Sequence, residues 1–203
     1  MATQLFTEIL QKAPDVTRAT NNANMWLREQ AMGVRPAAIP NPKSLVTGQS
    51  DRLVTALTVG RMYLFMYDPK FKEDLPYYDR FPLVFPFKKV KGGFYGINMH
   101  YLPHLLRAKL MDNLYALANN QNNNDTTKLR LSYQILSSAS KFRYFEPCVK
   151  HYLNSHVKSR FLWIPAEQWD TALFLPLERF AGATKQQVWR DSRLKVSTYN
   201  ERT

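Results

Sequence analysis

Four histidines, one cysteine and a few grouped carboxylates are the residues of this chain whose types and spacing could do chemistry. His100 and His104 are spaced as two imidazoles on one helix would be to share a metal ion, but Pro103 between them argues against one helix running through both. Cys148 and His151 stand at i and i+3 on a predicted helix, with His156 close by. A structural zinc needs four ligands, and no second cysteine exists to complete the set. Cys148 near a histidine could also be a thiol nucleophile, yet it adjoins Val149 on an apolar face, where cysteine usually serves as a small hydrophobe. Glu73 and Asp74 sit in a charged loop without a partner, and Glu167 and Asp170 flank Trp169. A metal-dependent nuclease would need two or three acids converging on its substrate, and no such set is visible. No Gly-rich phosphate loop is present. The expectation is a protein that is not an enzyme, with no catalytic residue, no metal ligand and no cofactor.

Charge is the more informative property. The 203 residues carry 28 Lys and Arg against 16 Asp and Glu, a net charge of +12, which favours polyanions or an acidic protein partner. Half of that excess lies between residues 128 and 160, where Lys128, Arg130, Lys141, Arg143, Lys150, Lys158 and Arg160 face one acid, Glu146. A solvated face of a basic protein and a contact with DNA or an acidic protein are both open to this cluster. A second basic patch, Lys88, Lys89 and Lys91, flanks a predicted hairpin tip, with Tyr63, Tyr67, Tyr77 and Tyr78 near it in sequence. Bases interleaved with aromatics can clamp a backbone and stack bases. The tyrosines alternate with Leu, Phe and Met, however, and that favours a place in the core. No helix-turn-helix, zinc-finger or ribonucleoprotein signature points to sequence-specific reading.

The elements that must position these residues read as α+β: a small twisted antiparallel sheet or partial barrel packed by helices, with an N-terminal helical arm. Residues 1–50 form the arm and a Pro-rich linker, and residues 51–203 form the body. Helices are expected over residues 3–12 and 16–32, followed by an extended linker over 34–50, where Pro36, Pro40 and Pro42 fix the backbone. Residues 53–67 read as a strand buried on both faces. Residues 81–87 (FPLVFPF) are apolar, but Pro82 and Pro86 cannot donate to a ladder, so an edge strand is expected. Gly92-Gly93 turns the chain into a strand over 94–99. Pro103 opens the clearest helix, on which Leu106, Leu110, Leu114 and Leu117 recur at helical spacing. A helix capped at Asp125 or Thr126 carries Leu129, Tyr133 and Leu136, and Phe145, Val149, Tyr152 and Leu153 make another helical stripe. Residues 160–164 and 171–177 read as strands. Thr184 with Gln187 matches a capping box for a last helix through Leu194.

A hydrophobic content of 45%, with aromatic residues making up 13% of the chain, is that of a globular protein. A lone cysteine excludes an intramolecular disulfide and suits a reducing compartment. No apolar stretch is long enough for a membrane span, and the N-terminus lacks the basic and apolar regions of a signal peptide.

Three stretches, GRMYLFMYDPKFKEDLPYYDRFPLVFPF, GGFYGINMHYLPHLLRAKLMDNL and HVKSRFLWIPAEQWDTALFLPLERF with VWRDSR after it, resemble small virion structural proteins of T4-like contractile-tailed bacteriophages. The resemblance rests on the YDP, LPYYD and HYLP signatures and covers about half the chain. It implies a non-enzymatic structural subunit of the tail, baseplate or neck, assembled in the host cytoplasm into a hetero-oligomeric virion with other virion proteins as partners. The alternative from a different class is a basic DNA-binding protein of genome packaging or DNA-end protection, with DNA as its partner.

Overall fold

The structure, a computed structural model, describes residues 28–34, 41–48, 51–118, 134, 136–138 and 143–197. Within them the fold is α+β. Its centre is an open six-stranded antiparallel sheet in the order β1-β7-β2-β4-β5-β6, formed by β1 (Leu53–Val54), β2 (Met62–Leu64), β4 (Leu83–Val90), β5 (Gly93–Asn98), β6 (Val149–Leu153) and β7 (Phe161–Ile164). β3 (Tyr78–Asp79) and β8 (Phe180–Ala181) pair separately. The helices are α1 (Pro42–Thr47), α2 (His104–Ala118), α3 (Trp169–Phe174) and α4 (Lys185–Ser197).

Strand alternation sorts side chains to two faces. On one, Met62, Leu64, Phe85, Ile97, Leu162 and Ile164 pack with Leu110 and Met111 of α2, Trp169, Ala172, Leu173 and Phe174 of α3 and Val188 of α4 in the main core. On the other, Tyr63, Phe65, Tyr67, Val84, Phe94, Tyr152 and Phe161 form a second, largely aromatic core. Phe65 is its hub, with edge-to-face contacts to Phe161 at 5.1 Å and Tyr152 at 5.3 Å. These edge-on geometries set the positive ring rim against the negative ring face. Among the described residues no helix lies over the second core. It is bordered by the chain between β1 and β2 and by the segment after β6, and that leaves clefts.

The β4–β5 hairpin forms as expected, with Val90 opposite Gly93 and a two-residue loop in which Gly92 takes φ +76°, a conformation that favours glycine. Pro103 precedes α2, its carbonyl accepting from the amides of Leu106 and Arg107. Thr184 caps α4, its hydroxyl accepting from the amide of Gln187 at 3.3 Å.

Several expectations are corrected. Residues 53–67 are two short strands interrupted by residues 55–61, where Gly60 takes φ +87° and donates its amide to Pro86. β4 is an interior strand, not an edge. Pro82 precedes it, and Pro86 lies beyond the two residues that pair with β2, at a shift of register against β5, so neither proline removes a needed donor. Residues 149–153 form β6 instead of a helix, following a 3-10 turn over Arg143–Cys148 that contains Pro147. Residues 171–177 are not a strand. Residues 169–174 are the helix α3, buried on every side, and that erases the polar stripe that would reveal its period.

The expected extended linker contains α1, started by the Asn41 side chain and by Pro42, and α1 places Leu45 and Val46 in the main core. Of the arm, residues 28–32 are helical and dock on the body. Arg28 bonds Asp170 at 2.9 Å and Asp112 at 2.7 Å, and Ala31 is buried. The earlier arm residues, Leu129, Tyr133 and the polar loop after α2 lie outside the described residues.

Candidate nucleic-acid interface

Arg61 enters β2 one residue before the strand begins, and its guanidinium lies over the ring of Trp163 at 5.0 Å. Trp163 is brought there by β7, which pairs with β2 so that Tyr63 stands opposite Trp163. Beside this stack is a cleft of about 480 Å³, rimmed by Arg160 and floored by Val54 and Tyr63. A second cleft of about 470 Å³ lies on the other side of residues 55 and 56, with Lys89 at its rim and Phe94 and Phe161 at its base. Thr55 and Ala56 belong to both clefts and form the ridge between them.

The ridge is fixed in place. The Tyr63 hydroxyl accepts from the Thr58 amide at 2.9 Å, and the Gly60 amide bonds the Pro86 carbonyl at 2.9 Å. Among the described residues, those lining the two clefts include Arg61, Arg160 and Lys89 but no Asp or Glu. Arg61, Arg160 and Lys89 are all exposed. Among the described residues none of the three makes an ion pair. Cationic side chains without acids, hydroxyl and amide donors from Thr58 and Asn154, and the half-buried Trp163 ring suit a phosphodiester with its bases.

The candidate bases from sequence divide among several places. Arg160 lines the first cleft and Lys89 the second. Lys88 is exposed but stands opposite Tyr95, on the helical side of the sheet, and Lys91 is exposed at the hairpin loop. Lys158 is exposed in the segment after β6. Lys150 is half-buried over the Tyr101 ring at 4.1 Å, and burial pushes its amine down to about 8. It lines a third cleft of about 200 Å³, but that cleft includes Asp79, which opposes an anion. Arg143 lies in the 3-10 turn, and Lys128, Arg130 and Lys141 lie outside the described residues. Of the cluster over residues 128–160, only Lys150, Lys158 and Arg160 have described side chains, and these three stand at separate places.

Arg61 and Trp163 were not singled out by sequence reasoning. Only the β2–β7 pairing joins them, and no local spacing carries it. The exposed Arg193 and Lys195 of α4 were missed likewise, and they sit in the helical layer. Tyr63 and Tyr67 are core residues at 2% and 9% exposure, not a stacking surface.

The remaining reactive side chains are held apart. His100 is buried and donates from Nδ1 to Asp79 at 2.7 Å, and Asp79 also accepts from Asn98 at 3.1 Å. His104 packs between Phe174 and Trp189, and burial pushes it down to about 4. His151 stacks on Tyr95 at 4.7 Å, and His156 donates to the Asp68 carbonyl at 2.8 Å. Cys148 is buried in the main core, where desolvation pushes its thiol up to about 12. With β6 a strand, Cys148 and His151 do not share a helix face. Among the described residues no three such side chains converge as metal ligands. No helix of the described residues is long and apolar enough to cross a membrane.

Fold and surface together describe a basic α+β protein in which a pair of clefts, acid-free among the described residues, lies on the sheet face that no described helix covers. Residues 41–193, three quarters of the chain, match the family described as phage T4 terminal DNA protecting protein, and the chain belongs to that family. No curated protein and no solved structure matches it. The family assignment supports the resemblance to a T4-like phage protein and corrects the role read from it. A structural subunit of tail, baseplate or neck is overturned, because the family is one that protects DNA termini. The resemblance misled because YDP, LPYYD and HYLP include residues of the scaffold, such as the buried Tyr67, Asp79, His100 and Tyr101, and scaffold residues do not specify a role.

Proposed function

We propose that this protein binds the termini of linear DNA and shields them from exonucleases, acting by occupancy and not by catalysis. The observation that carries the reading is the family match over residues 41–193. The acid-free clefts with Arg61, Arg160 and Lys89 supply a contact surface of the right sign and chemistry. An end must be covered before a nuclease meets it, so the protein would travel on the DNA within the particle.

The test is protection of a linear duplex against a processive exonuclease, titrated with the purified protein. Protection should saturate in proportion to the number of ends when total DNA mass is held constant. A closed circle should compete poorly. Protection that instead follows DNA mass, with circles competing as well as linear DNA, would mean general coating and would refute the end-binding reading.

A further inference from the structure

We infer that the Arg61–Trp163 cleft receives an unpaired nucleotide at the DNA terminus, an inference that rests on the DNA-end function proposed above. A duplex is read by an element that enters its groove, typically a helix or a two-stranded ribbon. The sheet face that no described helix covers presents a concavity instead, of about 480 Å³, a size suited to a small group such as one base with its sugar. At its side the Arg61 guanidinium lies over the Trp163 ring at 5.0 Å. A nucleobase can stack on either planar group.

Stacking of this kind tolerates any base, since every base has a π-face. A protein that acts on ends whatever their sequence needs that tolerance. Arg160 on the rim supplies a positive charge for the adjoining phosphate, and Lys89 lies in the second cleft across the ridge. The cleft is preformed, because Tyr63 and Pro86 hold the chain between β1 and β2 at Thr58 and Gly60, so binding orders little of the protein.

The cleft also provides a physical basis for choosing ends. A base inside a duplex would have to be unpaired and unstacked before entering, at a cost of a few kcal/mol. A terminal unpaired nucleotide avoids that cost. Preference for a terminus then arises without reading sequence.

The test uses DNA hairpins with one open end: blunt, with a short thymidine overhang, or with an overhang of equal length made of abasic residues. Each overhang is prepared on the 3′ and on the 5′ strand. For at least one polarity the full-length protein should bind the thymidine overhang about 5- to 150-fold more tightly than the abasic one, the range of one stacked base. Trp163→Ala and Arg61→Ala should each reduce that ratio toward one, and Arg61→Ala should in addition weaken all the DNA forms alike through the lost charge. Because Arg61 is exposed, its variant should fold even if the Trp163 variant does not. A 4-thiothymidine in the overhang should crosslink to a peptide containing Arg61 or Trp163. Equal affinity for thymidine and abasic overhangs, or a ratio unchanged in Arg61→Ala with crosslinks elsewhere, would overturn the inference while tight blunt-end binding left the DNA-end reading intact. Equal binding of open-ended and closed DNA would overturn both.

Discussion

Arg107 shows how much of this fold rests on one buried cation. Its side chain is fully buried and donates to the carbonyls of Leu102, His100 and Leu173 and to Glu178 at 2.6 Å. It thereby ties α2 to the ends of α3, β5 and the segment before β8. Arg107→Met should destabilise by about 3–5 kcal/mol in chemical unfolding, because Glu178 would be left charged in the interior without a partner. Arg107→Lys should recover only part of that loss, since an ammonium cannot reproduce the planar fork. The pair also sets an acid limit. Burial alone would raise the Glu178 carboxyl, but the fields of Arg107 and His100 outweigh it and hold the group down at about 2, against an ordinary 4.5. With the folded value the lower one, its contribution to stability is complete above about pH 4.5 and is lost as pH falls toward 2. Glu178→Gln should therefore be less stable at neutral pH yet show a flatter decline between pH 4.5 and 2 in urea melts. Equal slopes in that window would show that the carboxylate is not what the acid protonates.

At the scale of elements, the approach of β4 to β5 depends on the absence of a side chain at Gly96. A Cβ there would stand 2.3 Å from Val84 Cγ1 and 3.1 Å from the Phe85 carbonyl. Val84 is fully buried in the aromatic core and β-branched, so it has little freedom to yield. Gly96→Ala should cost about 1–3 kcal/mol by overpacking. Combining it with Val84→Ala should cost less than the sum of the two single changes, a coupling that a double-mutant cycle reads directly. Strict additivity would show that the strands separate to accommodate the methyl group. The hairpin itself was legible in the sequence, because its signals are local: Gly92-Gly93 at the turn and apolar runs on either side. So was α2, with Pro103 at its start and leucines at helical spacing. α3 and β6 were not. An all-buried helix such as WDTALF has no polar face, and in VKHYL the three-residue spacing of Val149 and Tyr152 imitates a helical stripe, whereas in β6 the two serve opposite, separately buried faces of the sheet. The interior position of β4 was hidden for a different reason, since the harmlessness of its prolines depends on where β2 stops. The candidate site was legible in part. Lys89 and Arg160 stood out as charge, but Arg61 and Trp163 become a unit only through pairing of distant strands.

On the scale of the whole molecule, the sheet divides two kinds of surface. One face is sealed by helices, whose outer side carries bases such as Arg190, Arg193 and Lys195 on α4. The other carries the clefts with Arg61, Lys89 and Arg160. A net charge of +12 attracts DNA to either in a general way, so affinity alone does not locate the contact. Counterion release does. Each phosphate neutralised by a side chain contributes about 0.9 to the log–log salt slope on duplex DNA and about 0.7 on a single strand. Replacing Arg61, Lys89 and Arg160 together by Gln should flatten the slope for a one-ended hairpin by about 2–3, close to the sum of three such contacts. Replacing Arg190, Arg193 and Lys195 by Gln removes the same formal charge and should lower affinity slightly while leaving the slope near that of the unmodified protein. All six side chains are exposed, so both variants should fold. Measuring the end-dependent affinity from about 50 to 200 mM salt covers the range in which this dependence is steep. The opposite pattern, with the α4 variant losing the slope and the cleft variant keeping it, would move the DNA contact to the helical layer.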